Sequence, residues 1–356
     1  MTSHRTIVIA GASAGVGRAT AVAFARRGAR IGLVAREAES LLETAAQVNR
    51  AGGDGLALPL DVADAEAVAG AADRVERELG PIDLWINAAM LTVFSPIEKL
   101  DADEIRRVTE VTYLGSVNGI LAALPHMRRR DRGTILQVGS ALAYRGIPLQ
   151  AAYCGAKFAI RGFLSSLRSE LVHDGSGIRV CMVELPAVNT PQFNWARAHI
   201  AGKPRPVAPV FQPEAIAEAL VAAAGDPRRE YWLGYSSVKT IIGAQLMPEF
   251  LDGYLARHVV SGQQDDEPVN PGRIDNLMVP APAGMHRAHG RFDDEARMDP
   301  VLVDPTAVRR VVIGTGLALA AAAGAGIALA IQSRATQKTS PRLARHAAER
   351  RERPAA

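Results

Sequence analysis

Between residues 5 and 185 the chain alternates short β-branched runs with longer segments whose apolar positions recur three to four apart. Residues 6–10 (TIVIA), 30–35 (RIGLVA), 56–60 (LALPL), 82–87 (IDLWIN), 134–139 (TILQVG) and 178–185 (IRVCMVEL) predict strands. These runs are apolar almost throughout, as in a parallel sheet covered on both faces. Residues 16–27, 38–50, 64–79, 103–130 and 152–173 predict helices, and Gly28, Gly52, Gly80, Gly133 and Gly175 stand where those helices stop. Strand and helix in turn make βαβ units. The expected fold is therefore α/β: a Rossmann-type doubly wound parallel sheet with helices on both faces, followed by a C-terminal extension.

After residue 186 the pattern loosens. Residues 186–212 carry five prolines together with Phe193, Trp195 and Phe211, and read as a substrate lid. Residues 213–224 predict a helix with Pro213 in its first turn, 231–235 a last strand, and 240–260 an amphipathic helix interrupted at Pro248. The catalytic body thus spans residues 1–260. Residues 261–308, rich in Pro and charge, read as an extended peripheral segment or linker. Within the Ala/Gly-rich helix of 309–333, residues 311–331 are uncharged and long enough to cross a bilayer. Gly316, Ala320 and Gly324, at every fourth position, suit packing against another helix as well. A basic tail follows at 334–356.

Composition agrees with a packed body: 48% hydrophobic and 22% charged residues are those of a globular chain. The net charge of +4 does not point to nucleic acid. Residues 331–356 hold seven Lys/Arg against two Glu, which leaves 34 against 35 in the rest of the chain. Two cysteines, Cys154 and Cys181, make neither a disulfide scaffold nor a zinc motif, and no metal is expected. No charged region or cleavage site precedes the first strand, so a secretory signal is not expected.

The first candidate chemistry follows the first strand directly: Gly11-Ala12-Ser13-Ala14-Gly15-Val16-Gly17, opening a helix. Glycines there permit positive φ and close backbone approach, so that backbone N–H groups and the helix start can hold a pyrophosphate. Where an NAD site needs a carboxylate for the ribose 2′-hydroxyl, the second strand ends in Arg36, a planar cation suited to a 2′-phosphate. NADP (NADPH) is expected rather than NAD, with Glu37 the neighbouring acid able to reach a hydroxyl instead. Asp61 and Val62, closing the third strand, suit the amino group and the face of an adenine, and Asp61 equally suits a helix cap.

The second constellation is Ser140 at the end of the fifth strand and Tyr153 with Lys157 in the next helix. Positions i and i+4 share a helix face, so phenol and ammonium face one site. A cation beside the phenol favours its anion, and a tyrosine so tuned exchanges a proton with an alcohol or developing alkoxide while Ser140 bonds the same oxygen.

A glycine loop after strand one, Asn87 after strand four, Ser140 after strand five and Tyr153/Lys157 in the following helix resemble the classical short-chain dehydrogenase/reductase family over about residues 4–235. The resemblance implies an NADP-dependent oxidoreductase moving hydride between nicotinamide and a carbonyl or secondary alcohol. It places Gly11, Ser13, Gly15, Val16, Gly17, Arg36, Asp61, Val62, Asn87, Tyr153, Lys157 and Thr190 at the cofactor. It also places Thr112 at the family's fourth catalytic position, where an Asn is usual and a backbone carbonyl holds a relay water.

Other positions depart from the pattern. Ala10 stands where the family has Thr, Met90 where it usually has Gly, and Leu185-Pro186 where it has Pro-Gly. The resemblance also implies a homodimer or homotetramer built on helices 103–130 and 152–173. Phe193, Trp195 and Phe211 suggest an apolar substrate or, equally, a packed lid. The expected location is cytoplasmic, with membrane contact through 311–331 and the basic tail. The alternative is a catalytically weak or idle NADP-binding scaffold of the same fold.

Overall fold

Eight strands form one sheet in the computed structural model of the protein, which describes residues 5–270 and 272–349. They are β1 (Thr6–Ala10), β2 (Arg30–Ala35), β3 (Asp54–Pro59), β4 (Ile82–Asn87), β5 (Thr134–Val138), β6 (Arg179–Glu184), β7 (Glu230–Leu233) and β8 (Leu302–Val303). Their spatial order is β3-β2-β1-β4-β5-β6-β7-β8. Neighbours run parallel except for the edge strand β8, which is antiparallel to β7. The winding direction reverses between β1 and β4, and this reversal opens a crevice at the carboxyl ends of those two strands.

Both faces of the sheet are buried because successive side chains alternate sides. On β1, Val8 and Ala10 join a core with Trp85 and Ile135 on one face, while Ile7 and Ile9 join Leu33, Leu84 and Ile86 on the other. The helices are α1 (Gly15–Ala25), α2 (Ala38–Arg50), α3 (Ala65–Glu78), α4 (Ala102–Thr109), α5 (Gly115–Arg128), α6 (Ala151–His173), α7 (Pro213–Gly225), α8 (Gly234–Leu246) and α9 (Pro248–Gly262). Pro248 divides α8 from α9, as its missing N–H requires. Acidic side chains start several helices: Asp64 accepts from Ala67 N at 3.0 Å, and Asp101 and Glu104 form a capping box.

Two expectations change. The single helix of 103–130 is broken by a π-helical turn at Glu110–Leu114 between α4 and α5. More consequentially, of the two readings of 261–308, peripheral segment or linker, a linker does not fit the residues up to Val303, which belong to the compact body. Residues 264–268 pair antiparallel with 202–204, Leu277 and Phe292 are buried, and 302–303 form the edge strand. The charges that make this segment look solvated are partnered by the body: Arg197 with Asp275 at 2.9 Å, Arg205 with Asp265 at 3.0 Å and with Glu295 at 2.6 Å.

A second unit, 304–356, carries the helix α10 (Pro305–Glu349). Pro305–Ile331 is long and apolar enough to cross a membrane, and none of its most apolar stretch is buried. Residues 350–356, the end of the expected basic tail, lie outside the described residues.

Candidate active site

The crevice at the switch point is a cleft of about 820 Å³, within the range of small-molecule and cofactor sites. One wall is the loop from β1 to α1. Gly11 (φ +90°) is backed by the Ala88–Ala89 backbone, where a Cβ would sit 2.6 Å from Ala89 N. Gly15 (φ +55°) faces Thr190, and a Cβ at Gly17 would fall on the Gly11 carbonyl oxygen. All three therefore have to be glycine. Ala14 gives α1 no side-chain cap, and of the backbone N–H groups at the helix start Gly15 N donates to Arg287 O at 2.9 Å. Ser13, Gly15, Val16, Gly17 and Thr190 all line the cleft, a cradle that fits a pyrophosphate.

At the end of β2, Arg36 reaches the cleft but is also held by the chain itself: its guanidinium donates to the carbonyls of Asn276 (2.5 Å), Met278 (3.3 Å) and Leu277 (3.4 Å). Burial, then Arg107, lower its pKa. Carbonyls leave the positive charge uncancelled. Glu37 is spent as the cap of α2, accepting from Ser40 N at 2.5 Å and from Glu39 N at 3.3 Å. Asp61 lines the cleft beside Val62, paired with Arg107 and accepting from Ala63 N at 3.0 Å; the cap of α3 is Asp64, so the expected helix cap falls there and not on Asp61.

Ser140, Tyr153 and Lys157 line the opposite wall. Lys157, almost fully buried, donates to Val138 O at 2.9 Å and sits 5.5 Å from the centroid of the Tyr153 ring. Burial pushes its pKa down to about 8, against the attraction of Glu184. Burial also raises Tyr153, opposed by a hydrogen bond with Ser140. The lowering of the phenol expected from Lys157 does not appear: burial raises it, and the group that opposes this is Ser140. Behind Ser140, the fully buried Glu184 accepts the Ser140 N–H at 2.6 Å. Burial and then the neighbouring Glu230 raise Glu184 well above the usual carboxylate range.

Lys157 carries a stability prediction. Between pH 8 and 10.5 the unfolded chain holds a proton on this lysine that the folded chain has released, so stability rises with pH across that window. Below pH 8 the whole cost of burying the ammonium remains. Lys157→Met should therefore be more stable than the natural chain at pH 7, by an upper bound of about 3 kcal/mol, with the gap closing toward pH 10. Urea unfolding at the two pH values measures this, and a variant less stable at pH 7 contradicts it.

Two predicted site residues are not brought to the cleft. Asn87 is buried and turned away: it accepts from Trp85 Nε1 at 2.8 Å and donates to Ser116 O at 3.2 Å, tying β4 to α5. Thr112 is fully buried in the π-helical turn. Its hydroxyl accepts from Leu91 N at 3.0 Å and donates to Leu91 O at 3.2 Å, while its carbonyl accepts from Ser116 Oγ at 3.0 Å. Buried polar groups must find partners, and these two find them locally. Val111 lines the cleft in the stretch where Thr112 was expected.

The lid aromatics are largely packing. Phe193 packs tilted against Phe94 (5.9 Å) and edge-on against Phe292 (5.7 Å), and Phe211 belongs to the sheet core, although Phe193 and Trp195 also border the cleft. The apolar floor beyond Tyr153 comes instead from Met90, Leu142, Ile147, Leu185, Val207 and Leu255. Sequence reasoning missed His286, whose ring lies 4.9 Å from Trp195 and bonds Ser13 Oγ at 3.1 Å. A lone histidine in a Pro- and charge-rich stretch carries no local signal.

Residues 5–200, more than half of the chain, match the family model described as short chain dehydrogenase. The uncharacterized oxidoreductase YxnA of Bacillus subtilis is 30% identical over 284 residues, covering 79% of this chain and 80% of that protein. A short chain dehydrogenase of Pseudocercospora fijiensis (MYCFIDRAFT_6125) is 34% identical over 176 residues, 49% of this chain and 56% of its own length. Among solved structures, the alcohol dehydrogenase of the archaeon Thermococcus sibiricus, complexed with 5-hydroxy-NADP, superimposes with a TM-score of 0.56 at 27% identity, over 65% of this chain and 96% of that one. With a doubly wound sheet, a glycine loop at its switch point and Ser140, Tyr153 and Lys157 across one cleft, this chain belongs to the short-chain dehydrogenase/reductase family and is an oxidoreductase built on that nicotinamide-binding fold.

Proposed function

We propose that the protein is an NADP-dependent oxidoreductase acting on a carbonyl or secondary alcohol of an apolar substrate. The observation that carries this reading is the placing of Ser140, Tyr153 and Lys157 on one wall of a cleft whose other wall holds Gly11, Gly15, Gly17 and Arg36. Ser13, Val16, Asp61, Val62 and Thr190 complete the cofactor contacts, and Arg36 takes the 2′-phosphate. The nicotinamide, when bound, supplies or accepts the hydride. In reduction, Tyr153 gives its phenolic proton to the substrate oxygen while the Ser140 hydroxyl donates a hydrogen bond to the same atom. In oxidation the two residues work in reverse. Lys157 holds a charge beside them, fixed by Val138 O. Neither Asn87 nor Thr112 enters this proton path. The apolar floor supports the substrate class, and an intact proton-transfer wall favours an enzyme over an idle scaffold. A screen of ketones and secondary alcohols for NADPH or NADP turnover, with Tyr153→Phe as the blank, tests the proposal.

The same reading assigns a cytoplasmic body, where NADPH is available, attached to a membrane through 311–331. It also assigns a homodimer through α4, α5 and α6, whose exposed Ile105, Leu121 and Phe158 support such a contact. Seven Lys/Arg beyond residue 331 would oppose a full crossing under the positive-inside tendency and favour attachment from the cytoplasmic face. The full chain should resist carbonate washing of the membrane fraction, and a form ending at Pro305 should be soluble and sediment as a dimer. Equal soluble recovery of both removes the membrane assignment, and a monomer at micromolar concentration removes the dimer.

A further inference from the structure

We infer that residues 275–290 form a strap that completes the wall of the dinucleotide site and has to lift for the dinucleotide to enter and leave; this rests on the reading of the cleft given above. The strap is pinned at both ends. Asp275 pairs with Arg197 at 2.9 Å, and Asn276 N donates to Trp195 O at 3.1 Å. At the far end Gly290 N donates to Asn189 O at 3.2 Å, and a Cβ at Gly290 would lie 2.5 Å from Thr190 O. Between the pins, Asn276, Pro280, Ala281 and His286 line the cleft itself.

Ser40 donates to Ala283 O and Arg107 to Leu277 O, both at 3.3 Å, and further groups that hold the strap come from the nucleotide motif and its helix. Arg36 donates to Asn276 O at 2.5 Å, Gly15 N donates to Arg287 O at 2.9 Å, and Ser13 Oγ bonds His286 Nδ1 at 3.1 Å. Arg18, in the first turn of α1, donates to His286 O at 2.8 Å. The His286 Nε2–H donates to Ala281 O at 2.9 Å, so the neutral ring accepts from the Ser13 hydroxyl. A dinucleotide that fills the cleft packs against Asn276, Pro280, Ala281 and His286 from inside and adds contacts to the closed strap, which couples the two.

The strap is also the kind of element that can open. Of its apolar side chains Leu277 and Ala281 are buried and Ala288 is half-buried against Ala19, Ala23 and Ala217, while Met278 and Val279 are 44% and 69% exposed. Beyond these few apolar contacts its attachment is by polar bonds. It covers the side of the cleft formed by the ends of β1 and β2, leaving the Tyr153 side to the lid.

The test uses the full chain with NADPH. Hydrogen exchange of peptides over 276–290 should slow by about tenfold on binding, together with that of the glycine loop, because a dinucleotide beneath the strap makes opening rarer. In stopped-flow fluorescence, His286→Ala should release NADPH about tenfold faster and take it up faster as well, so that affinity changes less than either rate. Slowed exchange in the glycine loop with none in the strap overturns the inference and leaves the cofactor reading standing. An unchanged release rate in a folded His286→Ala protein overturns it equally. Absence of any NADPH binding removes the cofactor reading and the strap's role with it.

Discussion

Replacing Tyr153 by Phe should lower turnover of a verified substrate by about 10³-fold while changing the affinity for NADPH by less than about threefold, because positioned proton transfer contributes on that scale and only one hydroxyl is removed. The geometry makes this substitution unusually clean. The phenol touches Ser140 on one side and lies beside Lys157, which keeps its own anchor on Val138 O. The ring of phenylalanine still fills the space over the Lys157 stem. The burial that raises the tyrosine suits it to giving a proton in reduction, so turnover in that direction should hold into the alkaline range, while turnover in oxidation, where the phenolate is needed, should rise with pH. Turnover, affinity and the two pH profiles are measurable on one preparation. A phenylalanine variant with natural turnover would remove Tyr153 from the chemistry.

Arg36→Asp should reverse the preference between NADPH and NADH, shifting the ratio of their dissociation constants by about 10²-fold or more, since a charge-assisted phosphate contact is lost and a hydroxyl acceptor is gained. The substitution also sets a carboxylate against the carbonyls of Asn276, Leu277 and Met278, which Arg36 now holds. That loss weakens both dinucleotides alike and cancels in the ratio, so the ratio and not either affinity reads the 2′-phosphate. Equal affinities for NADPH and NADH in the natural chain would remove Arg36 as the selector.

The departures from the family pattern lie mostly where backbone rather than side chain does the work. Ala10 replaces a hydroxyl, yet Gly11 N and Ala12 N are held by Val34 O at 2.8 and 3.1 Å, which steadies the loop without it. Met90 borders the cleft and adds to its apolar floor. The Asn87 and Thr112 side chains stabilise the joint between β4 and the broken helix that follows.

Seven of the eight strands, the helices between them, the glycine loop and the spacing of Ser140, Tyr153 and Lys157 were legible in the sequence. These depend on periodicity within one element or on short spacings: apolar runs of strand length, helical three-to-four recurrence, glycines at a strand-to-helix turn, and an i, i+4 pair. Tertiary structure alone decided which way Asn87 and Thr112 turn, because a buried amide or hydroxyl goes to whatever partner packing brings near: Trp85 and Ser116 for one, the Leu91 peptide for the other. It likewise decided that 261–303 belongs to the body. The bonds of Arg18 and Arg36 to that segment join positions 240 to 268 residues apart, and their acceptors are backbone carbonyls, which every residue carries and no local pattern marks.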